Sequence, residues 1–364
     1  MRIIRSYLLR ELVGPFFLSL LISTMVLAAG HIIQIADLII NKGVDALYVI
    51  NLFLLLVPWL LTFTIPISTL SAVLLAFGRL ASDNEITALK ASGVSTSRLA
   101  LPVLVGGLLL SLLCIPLNDK VLPESGFNAR KLIKEIGIRN PLALLEPGVF
   151  IKAFENHIIF VYSIDKNKLK NIRIYEPREG KSTRTIVAEE GEVFADPKGE
   201  FIQLKLKNGS ADESLPQDPD NFYKLVFKTY NMRLDLKNVD DYKETEKKPR
   251  EMTIRELKEE IERLEGEKVN ATPLYIEIHN KLALAFSNLV FVLIGIPIAI
   301  STHRREKSIS FGLTMLLFLI YWGIMLGGVA CVIRNMMPAW LGIWMANIIL
   351  SAFGGFLFFK VVKH

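Results

Sequence analysis

The chain lacks nearly every short pattern by which catalysis is read from sequence. No G-x-x-x-x-G-K-[ST] phosphate loop, H-E-x-x-H pair, nucleophile elbow or G-x-G-x-x-G turn occurs in its 364 residues. Nucleotide binding, metallohydrolysis, serine hydrolysis and dinucleotide binding therefore lose the residues that their chemistry requires. His31, His157, His279, His303 and His364 have no metal-ligand spacing, so no metal and no cofactor is implied. Cysteine is scarce as well: Cys114 and Cys331 both lie inside apolar runs, which excludes a disulfide framework.

The most informative scarcity is that of charge. Six stretches hold no Asp, Glu, Lys or Arg: Leu12 to Ala36, Ala46 to Gly78, Leu99 to Asn118, Leu282 to His303, Ser308 to Ile333 and Asn335 to Phe359. With 51% hydrophobic residues and a mean hydropathy of +0.39, the chain exceeds an ordinary soluble domain. A bilayer core of ~30 Å takes about 20 helical residues at about 1.5 Å each, so every run is long enough to cross. The second exceeds one crossing and carries Pro58 and Pro66, which predicts tilt, a kink or an interfacial start. The first run is too long for a cleaved signal peptide and is expected to remain as an anchor.

Short cytoplasmic loops retain Lys and Arg. Eleven basic residues fall on one side, at Arg2, Arg5, Arg10, Arg79, Lys90, Arg98, Arg304, Arg305, Lys307, Lys360 and Lys363, against Lys42 and Arg334 in the short loops opposite. Both termini are thus expected in the cytoplasm and Asp119 to Lys281 outside it. That outer segment is balanced, with 29 basic and 30 acidic residues. The net charge of +6 reflects topology, and nucleic-acid binding is excluded.

Outside the membrane the apolar period changes to two, the spacing of strands with one dry face. Ile202, Leu204 and Leu206 alternate with polar residues, as do Tyr223, Leu225 and Phe227, and then Tyr230, Met232, Leu234 and Leu236. Further strands are predicted at Val149 to Phe154, His157 to Ile164, Asn171 to Glu176, Arg184 to Glu190 and Glu192 to Ala195. Turn chemistry stands at Glu155-Asn156, Pro177 to Gly180, Asp196 to Gly199 and Asn208-Gly209. About eight short strands without intervening helices indicate a sandwich or jelly roll. Thr253 and Glu256 have capping-box spacing before an apolar stripe at Ile254, Leu257, Ile261 and Leu264; Thr272-Pro273 starts the fourth crossing.

The expected fold is therefore a six-helix membrane protein, three crossings on each side of an inserted all-β, jelly-roll-like domain. Its divisions are 1–118 for crossings one to three, 119–148 for a helical connection, 149–237 for the β domain, 238–281 for a linker and amphipathic helix, and 282–364 for crossings four to six. The Lys/Glu-rich residues 240–250 look like a solvated linker.

Two segments are candidates for function. Between crossings two and three, residues 82–93 predict a short cytoplasmic helix, with Ser82 and Glu85 at capping-box spacing and Gly93 at C′. Its mixed surface, Asp83, Glu85, Leu89 and Lys90 among small residues, suits docking in a partner's groove; alternatively Glu85 only caps the helix. At the outer end of the first crossing, His31, Gln34, Asp37, Asn41 and Lys42 are unusually polar. They are either interfacial residues or contacts for an anionic head group.

With these residues in place, the chain resembles the lipopolysaccharide export permeases of the LptF/LptG type over nearly its full length. The likeness rests on Arg5-Ser6-Tyr7-Leu8-Leu9-Arg10-Glu11, on Gly78-Arg79-Leu80 leading to Asn84 through Gly93, and on Lys281-Leu282-Ala283 followed by Ile294-Gly295-Ile296-Pro297. The resemblance implies the transmembrane subunit of an ATP-driven transporter. Two permeases of the family pair on a cytoplasmic ABC ATPase dimer and admit lipopolysaccharide between helices one and five. Periplasmic jelly-roll bridge proteins then continue the path toward the outer membrane. Glu85 matches the acidic residue of the family's coupling helix, with Asp83, Leu89 and Lys90 beside it. Family members place Lys or Arg near the outer end of helix one, where this chain has His31 and Gln34; Lys42 and Arg334 are the remaining head-group candidates.

Two other readings stand beside this one. A force-transmitting permease for lipoprotein release or efflux ordinarily places its large outer domain after the first crossing, whereas here it follows the third. A membrane-anchored scaffold without transport explains the strands but not the cytoplasmic helix.

Overall fold

The computed structural model describes residues 2–40, 42–140, 145–154, 157–165, 168–178, 181–195, 201–215, 218–235, 247–302 and 307–363. In chain order the helices are α1 (Arg2–Ile40), α2 (Ala46–Ser82), α3 (Glu85–Ala91), α4 (Thr96–Pro116), α5 (Leu122–Arg139), α6 (Ile254–Gly266), α7 (Thr272–Thr302), α8 (Lys307–Ile333) and α9 (Ala339–Lys363). Six helical spans among them are long and apolar enough to cross a membrane, and each overlaps one of the six charge-free runs. One π turn, Leu117–Val121, joins α4 to α5, so the third crossing runs on as one helical rod as far as Arg139. Helix α2 runs unbroken through Pro58 and Pro66.

The chain divides into two compact units. The first comprises residues 1–31, 56–127 and 247–364 and the second residues 32–55 and 128–246. In the first, α7 is the axis of the bundle: 78% of its apolar window is buried, against 17–33% in the other five spans. Lipid tails are as apolar as leucine, so helices associate there through close packing and interhelical hydrogen bonds. Both are present. Thr69 Oγ1 donates to Asn288 Oδ1 at 3.0 Å, Ser71 Oγ to Thr314 Oγ1 at 3.2 Å and Asn347 Nδ2 to the Ala283 carbonyl at 3.0 Å. At Gly328 of α8 an added Cβ would lie 1.9 Å from the Gly342 carbonyl oxygen of α9, whereas nothing stands within 4 Å of the corresponding position at Gly327.

The second unit contains six antiparallel strands in sequential order: β1 (Phe150–Phe154), β2 (His157–Asp165), β3 (Lys168–Arg178), β4 (Lys181–Ala195), β5 (Phe201–Leu215) and β6 (Asp218–Asp235). These are six long strands in place of the eight short ones expected. The reason is a break in side-chain phase. The inward set advances by three once in each of β2 to β6, from Val161 to Ile164, Leu169 to Ile172, Ala188 to Gly191, Leu206 to Gly209 and Phe227 to Tyr230. The skipped residues Tyr162, Asn171, Glu189, Asn208 and Lys228 are all exposed, and the ladders pair the residues on either side of them in unchanged register. Asn171 and Asn208 take φ of +51° and +50°, a left-handed conformation that asparagine tolerates. Asn208-Gly209, expected as a turn, is therefore a kink within β5.

Because the breaks lie in one row, the sheet bends along that row. Ile174, Ile186 and Leu206 reach 0% exposure, and among the described residues only Leu145 joins the buried cluster from outside the strands. A single layer leaves both faces wet, so the two halves must cover one another. The result is one dry interior within an otherwise open sheet. The linker expected at 240–250 lies outside the described residues as far as 246, as do the turns expected at Glu155-Asn156, Asp196 to Gly199 and the end of Pro177 to Gly180.

Candidate functional site

The short helix α3 begins later than the sequence indicates. Ser82 ends α2, and the N-cap of α3 is Asn84, left-handed at φ 58° and making no side-chain cap bond. The expected Ser82–Glu85 capping box is therefore not formed, because the amides that Ser82 would cap belong to a chain already turned by Asn84. The C-terminus agrees with the expectation. Gly93 has φ +83° and its N–H donates to the Lys90 carbonyl, while the Val94 N–H reaches the Leu89 carbonyl; this pair of bonds is a Schellman close.

With no capping duty, Glu85 is held by a different partner. Tyr7 Oη donates to Glu85 Oε2 at 2.9 Å, Arg79 Nη2 donates to Tyr7 Oη at 3.1 Å, and Arg79 Nη2 also pairs with Glu11 Oε2 at 2.9 Å. The chain Glu11–Arg79–Tyr7–Glu85 ties α3 to α1 and α2. Ile86 is buried and Leu89 packs against the bundle core, while Lys90 Nζ donates to the Val361 carbonyl near the end of α9 at 3.3 Å. Asp83 is exposed at the α2–α3 turn. Three helices, α1, α2 and α9, thus converge on seven residues, with the half-buried Glu85 carboxylate at the outside.

Sequence reasoning missed Tyr7 as the partner of Glu85, and Arg79 and Glu11 behind it. The available signal was their spacing: Tyr7 and Glu11 are four apart on one helical face, beside a lone arginine at the end of α2.

The head-group candidates have separate surroundings. In the first unit, His31 makes an edge-to-face contact with Trp59 at 5.4 Å, continued by Phe63 at 5.3 Å and Trp322 at 5.2 Å. Arg334, also in that unit, is exposed beyond α8. In the second unit Gln34 is exposed on α1. Lys42 has only 12% of its side chain exposed; it pairs with Asp37 at 3.9 Å, and its carbonyl accepts from Asn140 Nδ2.

A polar joint lies where α4 meets α7, which sequence reasoning also missed. Lys281 is 3% exposed, and its Nζ donates to the Asn118 carbonyl at 3.2 Å. Asn118 Nδ2 donates back to the Lys281 carbonyl at 3.1 Å, and its Oδ1 accepts from Thr62 at 3.2 Å. The adjacent Asp119 Oδ1 accepts the Ile254 N–H at 2.6 Å, binding the first turn of α6 to the same corner. At that turn burial raises the Glu256 carboxyl pKa, but Lys247, the Thr253 amide and the Thr253 hydroxyl outweigh it and hold the group below the ordinary range. The expected Thr253–Glu256 capping box is present.

Comparison with known proteins now bears on this geometry. The chain is 27% identical over 194 residues to an uncharacterized protein of Rickettsia prowazekii; the alignment covers 52% of this chain and 53% of that protein, about half its length. It is 21% identical over 359 residues to the lipopolysaccharide export system permease protein LptF of Escherichia coli strain K12, covering 96% of this chain and 93% of the relative. The LptF protein of Shigella flexneri aligns to the same extent. The family model of the lipopolysaccharide export system permeases LptF/LptG matches residues 6–360. Six membrane-crossing helices interrupted by one β domain fit that match from end to end, and the chain belongs to the LptF/LptG permease family.

Proposed function

We propose that this chain is the transmembrane permease subunit of an ABC transporter that lifts lipopolysaccharide out of the inner membrane and passes it to periplasmic jelly-roll bridge proteins. The observation that carries the reading is the family match over residues 6–360. The asymmetry of Lys and Arg supports an orientation with both termini cytoplasmic and the β domain periplasmic. A multi-acyl lipid costs about 0.8 kcal/mol per CH₂ exposed to water. The dry interior of the bent β sheet offers such chains a sheltered surface.

No nucleotide-binding pattern occurs in the chain, so energy enters through a separate cytoplasmic ATPase dimer, with a sister permease completing the membrane portion. α3 is the coupling helix, and Glu85 is the residue that engages the ATPase, with Asp83, Leu89 and Lys90 as its setting. Lys42 and Arg334 are the first candidates for head-group contacts, with His31 and Gln34 as the further ones. Depletion of the protein tests the whole reading: lipopolysaccharide is expected to accumulate in the inner membrane, and an ABC ATPase to co-purify with the tagged chain. Normal delivery to the outer membrane after depletion would overturn it.

The Tyr7 hydroxyl is the link between the coupling helix and the first crossing. Charge-assisted hydrogen bonds of this kind contribute about 1.5–3 kcal/mol when shielded and less when exposed. Tyr7→Phe is accordingly expected to retain the ATPase but to lower lipid export per ATP hydrolysed by about three- to tenfold, as read from export and phosphate release in one reconstituted complex. An unchanged ratio would show that the link is idle.

A further inference from the structure

A cleft of about 350 Å³ opens on the side of the bundle between α1 and α4, walled by Leu9 and Phe16 of α1, Val73 of α2, Gly106 and Leu113 of α4, and Val292 of α7. Its one polar lining side chain, Thr69, spends its hydroxyl on the Ile65 carbonyl and Asn288, so the cleft is dry. Phe17 and Leu113 at its lips are 62% and 69% exposed, which leaves the opening toward the surrounding lipid. A dry cleft of this size, open on its side, suits a single acyl chain.

Both walls lead to a cation. Arg5 lies one turn before Leu9 on α1. On α4, Arg98, Pro102, Gly106, Leu109 and Leu113 follow one helical stripe. Arg5 and Arg98 are exposed, and neither side chain makes a hydrogen bond or an ion pair with another described residue. At about 1.5 Å per residue, the lining residues of α1 and α4 stand roughly 6–22 Å above the two arginines. That range matches one leaflet of a hydrocarbon core ~30 Å thick.

We propose that this cleft is a resident-lipid site, which takes one acyl chain of an anionic phospholipid from the cytoplasmic leaflet and sets its phosphate between Arg5 and Arg98. The leaflet assignment rests on the orientation given under the proposed function. Moving a chain from bulk lipid into an apolar cleft exchanges one hydrocarbon contact for another. Selectivity therefore comes from the two arginines, and anionic over zwitterionic head groups are preferred by about tenfold. The site is separate from a cargo path entered at the outer leaflet, and its occupant would wedge α1 against α4 close to the Tyr7–Glu85 link.

The test uses the full-length chain in its native complex, placed in nanodiscs of phosphatidylethanolamine and phosphatidylglycerol containing phosphatidylglycerol with a mid-chain diazirine. Crosslinks are expected at residues 9–17 and 106–113. Gly106→Leu, which fills the cleft, should lower them about tenfold. Arg5→Gln combined with Arg98→Gln should erase the preference over a phosphatidylethanolamine probe while the complex stays monodisperse. Even labelling around the bundle, crosslinking of these positions to another protein's helix, or displacement of the probe by lipopolysaccharide would each overturn the proposal. Orientation is read independently, by an impermeant thiol reagent applied to intact cells carrying Ser92→Cys. Labelling there would sink the leaflet assignment alone, because the nanodisc crosslinks do not depend on sidedness.

Discussion

Glu85→Ala is expected to lower ATPase association at least about 30-fold and lipid export with it, while the protein still inserts and folds. Truncating one partner of a hydrogen-bonded charge at a protein interface costs about 2–5 kcal/mol, and 2 kcal/mol is roughly a factor of 30. The structure separates two contributions to this loss. Glu85→Gln keeps an acceptor for Tyr7 Oη, now 2.9 Å from the carboxylate, and removes only the charge. If the charge docks the ATPase, Gln is nearly as damaging as Ala; if the carboxylate serves only to fix α3 against α1, Gln is nearly silent. Quantitative pull-down from solubilised membranes decides. Wild-type ATPase recovery and export by Glu85→Ala would remove α3 from the coupling role.

Gly328→Ala is expected to destabilise the bundle by about 3 kcal/mol, near the upper end of the usual overpacking range. The added Cβ would stand 1.9 Å from the Gly342 carbonyl oxygen and 2.8 Å from its carbon. Both are main-chain atoms of α9 and have no rotamer into which to retreat. The two helices must separate, and the interhelical contacts on both sides of the crossing loosen with them. Gly327→Ala, with nothing within 4 Å of its Cβ position, supplies the control and should be neutral or slightly stabilising, since alanine is the better helix former. Thermal or SDS unfolding of the detergent-solubilised protein compares the pair. Equal midpoints for the two variants would show that α8 and α9 do not meet so closely.

The neighbouring glycines illustrate how far sequence reading reaches. Gly327-Gly328 announces helix packing without saying which of the two bears it, because that depends on the rotation of α8 against a helix whose Gly342 is fourteen positions away. The same limit appears in the β domain. The alternation that marks strands is local and was legible, but its interruption looks the same whether the chain turns back or only kinks. β4 and β6 were accordingly divided at Gly191 and near Lys228, where the strands continue through. At the candidate site the position of Gly93 was readable from its own backbone requirement. The start of α3 was not, because Ser82 had two possible uses and the extension of α2 took it.

What the sequence by itself determined are the six crossings and the inserted β domain. A charge-free run of twenty or more residues has a low-energy home in a bilayer, and a period of two has one in a half-dry strand; both are properties of neighbouring residues. It also singled out Glu85 on a short helix, open between capping that helix and facing a partner. Only the tertiary structure decided what holds that acid: Tyr7 is 78 positions away, as Lys281 is 163 from Asn118. Pairings of this kind depend on how whole helices rotate and descend against each other. The two arginines below the α1–α4 cleft likewise gain their relation to an apolar wall only once four helices have packed.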